Sequence, residues 1–374
     1  MRFIPTDQPT APPVLVRERV FGVRYDVDSH APSRSLYLTS NADGCYNREL
    51  RVASLERPSE WLPLLWESEA PVLPHSRSRS LDGVFAFDDF VAVTGREGGF
   101  TQIWVVRVDS ATGGAVSVAQ RLGFEEEAFT AEVWGVDNRL FACDGRLRIE
   151  YSSMTAPRSI REYDVASRTA TTLRVQPVPN YDPSRYATRR VEVTARDGVQ
   201  VPVTLLWRPD LASVSGDSPC PLHLYGYGSY GVCIDPSFAA SRLALVDRGI
   251  VYAIAHVRGG GEMGHHGWYE AQGKYLAKRN TFHDFVDCAQ ALCERGIARR
   301  GALTCEGRSA GGLLVGNAVN LAPELFAAAV AGVPFVDLMV TMCDPSIPLT
   351  TEEWEEWGNP NEETVTPGRG RPKA

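Results

Sequence analysis

The sequence lacks the patterns that are typical of a membrane-spanning, a nucleic-acid-binding or a metal-binding protein. No run of about 18 apolar residues occurs in the 374 residues, so no membrane-spanning helix is predicted. The net charge of −8 disfavours a nucleic-acid partner and favours small cationic ligands. The eight cysteines form no C-x-x-C pair, and the histidines form no cluster with ligand spacing. We therefore predict neither a metal site nor a cofactor.

A secretory signal is also missing from the start of the sequence. The opening residues, "MRFIPTDQPTAPPVLV", contain prolines where a signal peptide would have an apolar core. Scattered cysteines without a pairing pattern are typical of proteins from a reducing compartment. Both features predict a cytoplasmic protein with free thiols.

Residues 1–175 have the pattern of a β-rich domain. Three short motifs, at residues 52–54, 108–110 and 165–167, recur at intervals of 56 and 57 residues. A repeat of this length is typical of the four-stranded blades of a β-propeller, and about three blades would form an incomplete ring. A β-sandwich with coincidental spacing is the alternative. The predicted strands are "SLYLTS", "ELRVASL", "FVAVTG", "QIWVVRV" and "RLFACDG".

Residues 176–374 alternate between strand-like and helix-like segments. The segment "RRVEVTARDGVQVPVTLLWRPD" predicts a hairpin that turns at Asp197-Gly198. An apolar stripe from Phe282 to Cys293 has helical spacing. The order predicts an α/β domain whose mostly parallel sheet is covered by helices on both faces. The other predicted strands are "LHLYGYG", "GIVYAIAHV", "ALTCE" and "LFAAAVAGV", and "GLLVGNAVNLA" is a second predicted helix.

The segment "GRSAG" (307–311) lies between a predicted strand and a predicted helix and has the G-x-S-x-G pattern. In that context the pattern predicts a sharp turn that presents Ser309 as a nucleophile, with the Ala310 amide directed at a developing oxyanion. A glycine-rich turn that merely contains a serine is the alternative. The segment "GGGEMG" (259–264) also matches a dinucleotide-binding pattern, but no clear helix start follows it, so we predict a loop.

Several segments resemble the oligopeptidase B branch of the prolyl oligopeptidase family. The resemblance is continuous over about residues 190–360 and weaker over 1–175. It implies an α/β-hydrolase domain capped by a β-propeller, and cleavage of short peptides after Lys or Arg. The segments that carry it are "LYGYGSYG" (224–231), "VYAIAHVRGGGEMG" (251–264), "GRSAGG" (307–312), "AGVPFVD" (331–337) and "DPSIPLTTEEWEEWGNP" (344–360).

The resemblance implies roles for individual residues. Ser309 matches the nucleophile, and Tyr227 matches the phenol that completes the oxyanion hole with the Ala310 amide. Glu353 and Glu355 match the carboxylates that hold the basic side chain of the substrate. The crowding of four carboxylates around Trp354 agrees with this role, because such a cluster favours either solvent or a bound cation; a solvated acidic helix is the alternative.

Asp235 matches one acidic residue of the neighbouring subsite. A second family aspartate would fall at position 237, where this sequence has Ser237. This difference weakens any predicted preference for two consecutive basic residues. The predicted partners are short basic peptides.

The general base is missing from the expected place. All seven histidines precede Ser309, whereas an α/β-hydrolase has its acid and histidine after the serine. The resemblance places both beyond the last residue, and "TVTPGRGRPKA" departs from the family pattern. We therefore expect an incomplete chain with little or no activity. A non-catalytic binding protein that uses its β region, and a carboxylesterase, are the alternative functions.

Overall fold

The computed structural model describes residues 1–67, 69–134 and 145–362. Two compact units make up the fold. The first comprises Met1–Glu125, Ala131–Tyr151 and Ser159–Val175, and the second comprises Glu126–Thr130, Ser152–Arg158 and the residues from Gln176 onwards. Over these three stretches of chain, no helix is long and apolar enough to cross a membrane.

The first unit is built from short strands that follow one another in space as they do in the sequence. Strands β3–β6, β9–β12 and β13–β16 form three four-stranded sheets, and β1–β2 and β7–β8 form small pairs. The bounds are β1 Arg2–Phe3, β2 Val14–Leu15, β3 Tyr25–His30, β4 Ser35–Ser40, β5 Glu49–Ser54, β6 Leu62–Pro63, β7 Leu65–Trp66, β8 Ala70–Pro71, β9 Arg79–Ala86, β10 Phe90–Glu97, β11 Phe100–Arg107, β12 Gln120–Arg121, β13 Phe129–Val133, β14 Arg146–Ser153, β15 Ser159–Asp164 and β16 Thr169–Val175. Four predicted strands correspond to β4, β5, β10 and β11, whereas "RLFACDG" lies almost wholly outside the described residues.

The sequence repeat marks the same place in each four-stranded sheet. Residues 52–54 end β5, residues 108–110 directly follow β11, and residues 165–167 directly follow β15. Each of these is the third strand of its sheet. After β11 the Asp109 carboxylate accepts from the Thr112 N–H at 2.8 Å, and after β15 the Asp164 carboxylate accepts from the Ser167 N–H at 2.7 Å. Aspartate side chains thus stabilise the turns that the repeat predicted.

The second unit contains one six-stranded mixed sheet in the order β17-β18-β20-β19-β21-β22. Strands β20, β19, β21 and β22 run parallel, and β17–β18 is the predicted antiparallel hairpin. Its turn contains Gly198 at φ +87°, a conformation that glycine adopts without strain. The strand bounds are β17 Ala187–Thr194, β18 Gln200–Trp207, β19 Cys220–Tyr225, β20 Val251–Ala255, β21 Ala298–Arg308 and β22 Ala328–Gly332.

Five α-helices accompany this sheet within the described residues. The bounds are α1 Ala240–Val246, α2 Arg279–Glu294, α3 Ala310–Leu321, α4 Leu338–Cys343 and α5 Thr350–Trp357. Shorter helical segments are Ala42–Gly44, Pro183–Arg185, His265–Ala271, Tyr275–Lys278 and Pro323–Leu325. The predicted apolar stripe lies in α2, whose Phe285, Ala289 and Leu292 are fully buried.

Strand β20 shows how the sheet is covered on both faces. All five of its residues are buried. Val251 and Ala253 belong to the apolar cluster that includes the buried residues of α2 and α3, whereas Tyr252 and Ile254 belong to a second cluster that includes Val246 of α1. Because strand side chains alternate between faces, helices pack on each side of the sheet.

Candidate active site

Ser309 lies at a sharp turn between strand β21 and helix α3. Its backbone has φ 57° and ψ −119°, which is a strained conformation for a residue that carries a Cβ. The Ser309 N–H donates to the Gly332 carbonyl at 2.9 Å, and the Ser309 carbonyl accepts from the Phe335 N–H at 3.1 Å. The residue is exposed. The fold therefore holds a strained turn in place and leaves Ser309 at the surface.

Two glycines leave the space that this turn needs. A Cβ at Gly307 would clash with the carbonyl oxygen of Gly311. A Cβ at Gly311 would lie 2.7 Å from the carbonyl oxygen of Gly226. The strand and the helix can approach each other this closely only because neither position carries a side chain.

Tyr227 lies beside Ser309, close enough for the Ser309 side chain to affect the pKa of its phenol. Burial raises that pKa, and the Ser309 side chain opposes part of the rise. The phenol therefore keeps its proton at neutral pH and can donate a hydrogen bond. Ala310 supplies the first amide of α3, a position whose N–H has no acceptor within the helix. The phenol and this amide are two hydrogen-bond donors at the Ser309 turn.

Helix α5 carries four glutamates whose surroundings differ. Glu356 is buried: its side chain accepts from the Tyr269 hydroxyl at 2.6 Å and from the Lys278 ammonium at 2.5 Å. Glu355 is largely exposed and accepts from the Tyr275 hydroxyl at 3.0 Å. The ammonium of Lys274 lies 3.9 Å from the Glu355 carboxylate. These two carboxylates therefore each have a cation nearby.

Glu353 is held by neutral donors. Its Oε2 atom accepts from the Tyr230 hydroxyl at 2.7 Å and from the Trp357 indole N–H at 2.8 Å. Burial, followed by the carboxylate of Glu353, raises the pKa of the Tyr230 phenol, so the phenol remains a donor. In the part of the chain that the structure describes, Glu353 forms no ion pair. The ring of Tyr230 lies near the ring of Tyr227, and the two ring centroids are 6.4 Å apart.

The structure therefore brings Ser309, Tyr227 and Glu353 together through Tyr230. Glu355 lies on the same helix as Glu353 but contacts different neighbours. The two residues are two positions apart, so their side chains leave the helix about 200° apart. Glu352, which precedes them, is exposed.

Asp235 lies in the wall of a cavity of about 520 Å³. Ser237, Arg242 and Glu306 also line this cavity. Glu306 is on β21, three residues before Ser309, so one wall residue of the cavity is close in sequence to the Ser309 turn. Neither the Ser309 residue itself nor any residue of α5 is among the described residues of its wall.

The imidazoles are engaged elsewhere. The ring of His223 contacts the Glu306 carboxylate at 2.9 Å, and the ring of His256 contacts the Thr204 hydroxyl at 2.8 Å. Between residues 1 and 362, leaving aside 68 and 135–144, no imidazole hydrogen-bonds to Ser309. Among the described residues, the serine, the phenol and an acidic group thus lie together, and the serine has no hydrogen-bonded imidazole.

Sequence reasoning missed Tyr230, Lys278 and Tyr269 as parts of this site. Tyr230 lies in "YGYGSYG" three residues after Tyr227, so its place in the same loop could have indicated it. Lys278 contacts Gly228 and Glu356, which are 50 and 78 residues away along the chain. No local pattern relates residues at such separations.

Two family models match the chain. The model described as prolyl oligopeptidase family matches residues 236–367, and the model of the prolyl oligopeptidase N-terminal beta-propeller domain matches residues 1–176. Dipeptidyl aminopeptidase BI of Pseudoxanthomonas mexicana is 39% identical over 97% of this chain and 47% of its own length. Protease 2 of Moraxella lacunata is 38% identical over 97% of this chain and 49% of its own length. The chain therefore spans about half the length of these curated relatives.

Solved structures give the same result. Oligopeptidase B from Leishmania major has a TM-score of 0.83 and 40% identity, over 94% of this chain and 47% of that one. Oligopeptidase B from Trypanosoma brucei, solved with covalently bound antipain, has a TM-score of 0.83 and 44% identity, over 96% of this chain and 49% of that one. The predicted fold class, a partial β-propeller followed by part of an α/β-hydrolase domain, is thus confirmed. The chain belongs to the prolyl oligopeptidase family of serine peptidases, and within it resembles oligopeptidase B.

Proposed function

We propose that the chain contributes the nucleophile and the cation-binding site of a serine endopeptidase that cleaves short peptides after Lys or Arg. The observation that carries this proposal is the arrangement of Ser309, Tyr227 and Glu353. The serine lies beside the Tyr227 phenol, and the next tyrosine in the same loop donates to a carboxylate that has no ion-pair partner among the described residues. A substrate residue with a basic side chain can place its carbonyl group at Ser309 and its cationic group at Glu353.

The chemistry requires Ser309 Oγ to attack the carbonyl carbon of the residue that carries the basic side chain. The carbonyl oxygen becomes an oxyanion, which the Tyr227 hydroxyl and the Ala310 N–H can stabilise by donating hydrogen bonds. The Oγ proton goes to a base and then to the leaving amine, and an acyl-enzyme ester remains. Water then hydrolyses the ester and regenerates the Ser309 hydroxyl.

The base is the component without a candidate among the described residues. A serine hydroxyl is a weak nucleophile until a neighbouring base accepts its proton. Tyr227 cannot fill this role at neutral pH, because its raised pKa keeps it protonated. We therefore expect this chain to bind basic peptides and to acylate slowly.

Recognition of the basic side chain rests on the charge distribution of α5. The Lys278 ammonium neutralises Glu356, and Lys274 partly offsets Glu355. The donors to Glu353 among the described residues are both uncharged, and both bind its Oε2 atom. The Oε1 atom of Glu353 is left for a guanidinium or ammonium group, and the exposed Glu355 can add a second contact. Asp235, in the wall of the nearby cavity, is proposed to contact the preceding substrate residue.

The names of the relatives support this proposal. Two of the similar structures are oligopeptidase B, and one of them was solved with covalently bound antipain. The Moraxella relative is named a protease. An acidic site beside Ser309 is also poorly suited to an apolar acyl chain, which argues against the carboxylesterase alternative.

A non-catalytic peptide-binding protein is the second candidate. The absence of an imidazole bonded to Ser309, among the residues that the structure describes, favours it. It differs from the first candidate in binding its partner through the β region and in leaving Ser309 without an acyl group. Fluorophosphonate labelling that requires the Ser309 hydroxyl would favour the peptidase, and a complete lack of labelling would favour the binding protein.

The proposal is tested by equilibrium binding of two peptides that differ in one charge. N-acetyl-Phe-Arg-amide and its citrulline counterpart have nearly the same shape, and only the first is cationic. Hydrogen bonds to charged groups contribute about 1.5–3 kcal/mol, so we expect the arginine peptide to bind about ten-fold or more tightly. Calorimetry measures both dissociation constants.

Glu353→Gln should abolish this preference, because it removes the charge and keeps the shape. Glu352→Gln is the matched control, because it removes a charge from the exposed side of the same helix and should leave the preference intact. Equal binding of the two peptides by the unmodified chain would refute the cation site.

A further inference from the structure

Lys278 is a buried cation whose contacts join two parts of the candidate site. Its side chain is 7% exposed. The ammonium donates to the Gly228 carbonyl at 2.7 Å and to the Glu356 carboxylate at 2.5 Å. It also lies 4.9 Å from the centre of the Trp357 ring. Lys278 therefore contacts both the loop that contains Tyr227 and the helix that contains Glu353.

Burial of an ammonium group is costly, and only specific partners make it tolerable. An apolar side chain in this position would avoid that cost if packing were the only requirement. Burial lowers the pKa of Lys278, whereas the Glu356 carboxylate favours the charged form. The three contacts offset part of the cost of burying the ammonium, and each of them is made to the Tyr227 loop or to α5.

Helix α5 depends on such contacts for its position. It has only eight residues, and a helix of this length is not stable by itself. The Trp354 indole N–H donates to the Met342 carbonyl at 3.0 Å, and the Thr350 hydroxyl donates to the Thr341 carbonyl at 3.1 Å. These bonds connect α5 to α4, whose Met339 and Val340 are exposed. They do not determine where α5 lies relative to Tyr227.

The contacts that do reach the Tyr227 loop involve two residues of α5, Glu353 and Glu356. Tyr230 binds the Glu353 carboxylate directly. Lys278 binds Glu356, three residues further along the helix, and the Gly228 carbonyl, one residue after Tyr227. Trp357 completes the connection, because its ring packs near the Lys278 ammonium while its N–H donates to Glu353.

We propose that Lys278 is a positioning residue that sets the distance and orientation of the Glu353 carboxylate relative to Tyr227 and Ser309. The described contacts of the Lys278 ammonium are with Gly228, Glu356 and Trp357, and they include neither Ser309 nor Glu353. Lys278 acts through Gly228 on one side and through Glu356 and Trp357 on the other. This inference rests on the proposed cation site at Glu353, and it predicts that the preference for a cationic peptide depends on a residue outside that site.

The test uses a pair of substitutions that avoids an unpaired buried charge. Lys278→Met alone would leave the Glu356 carboxylate buried without a cation and could prevent folding. The double variant Lys278→Met with Glu356→Gln removes both charges and keeps similar volumes. Leu292→Ala is the matched control, because it weakens the core of α2 at a fully buried position far along that helix from Lys278.

The measured quantity is the ratio of the dissociation constants of the citrulline and arginine peptides described above. We expect the double variant to reduce this ratio by about ten-fold, equivalent to about 1.4 kcal/mol. Its affinity for the citrulline peptide should stay within about two-fold of the unmodified chain, because the backbone contacts of the peptide remain. Leu292→Ala should lower thermal stability and leave the ratio unchanged. If Lys278 had a purely structural role, the double variant would give the same result as Leu292→Ala.

The outcomes separate this inference from the proposed function. If the unmodified chain prefers the arginine peptide, Glu353→Gln removes the preference and the double variant retains it, the positioning role is overturned and the cation site stands. If the unmodified chain shows no preference, the cation site is refuted, and the positioning role is refuted with it.

Discussion

The close approach of strand and helix at the Ser309 turn makes Gly311→Ala a sharp test of the site geometry. Gly311 has a backbone conformation that alanine can adopt, so the effect of the substitution is steric. The new Cβ would lie 2.7 Å from the Gly226 carbonyl oxygen and 3.3 Å from the Cα of Tyr227. Both atoms belong to the loop that places the phenol beside Ser309. The loop must move by several tenths of an ångström, and the phenol moves with it.

We expect this overpacking to lower the free energy of unfolding by about 1–3 kcal/mol, the range seen when an added methyl group has no space. Gly316→Ala is the control on the same helix, because its Cβ would meet only Val336 Cγ1 at 4.0 Å. Alanine is better than glycine in a helix interior by about 0.8–1 kcal/mol, so this variant should be more stable than the unmodified chain.

Urea denaturation measures both changes, and fluorophosphonate labelling reports on Ser309. Gly311→Ala should lose labelling under conditions in which it is still folded, whereas Gly316→Ala should keep the rate of the unmodified chain. A Gly311→Ala variant with unchanged stability and unchanged labelling would show that strand, helix and phenol are not as tightly packed as the structure has them.

Two further predictions concern the Tyr227 phenol and the loss of stability at acidic pH. Tyr227→Phe should slow fluorophosphonate labelling of Ser309 by about ten-fold or more, since an oxyanion donor is lost; labelling at an unchanged rate would remove Tyr227 from the site. The Arg258 guanidinium holds the pKa of Asp197 below its ordinary range, so this pair stabilises the fold above about pH 4 and the contribution is lost as the pH falls through the lowered pKa. Asp197→Asn should therefore lower the free energy of unfolding near neutral pH and make that free energy fall less steeply in acid. Urea denaturation between pH 7 and 2 measures both effects. Substitution of the exposed Asp217 by Asn is the control and should produce neither effect.

The elements of the second unit could be predicted because their sequence patterns are local. Strand β20 has five buried residues in a row, and five of the six residues in the apolar stripe of α2 are buried, so burial follows the sequence pattern closely. The turn at Ser309 could be predicted for the same reason, because small residues at fixed offsets are a steric requirement of that backbone path. The short helices α1 and α4 were not predicted, because six or seven residues contain too few turns to show a period.

The acidic site could be predicted only in part. The sequence shows four glutamates in α5, but the rotation of that helix decides which of them faces the Tyr227 loop. That rotation is set by contacts from Tyr230 and Lys278, and the Lys278 contacts join residues 50 and 78 positions apart. Composition can indicate a cluster of charge, whereas only the folded chain shows which charge has been neutralised.

The same charge distribution supports the proposal that Glu353 is the main carboxylate for a bound cation. A buried glutamate paired with Lys278 has little attraction left for a ligand, and an exposed one near Lys274 is screened by water. Glu353 is partly buried and bound by two neutral donors, which orient the carboxylate and leave its charge uncompensated. A cation that enters beside Ser309 therefore gains most from Glu353. In the proposed site, Lys278 and Lys274 would favour binding at Glu353 because they offset the charges of Glu356 and Glu355.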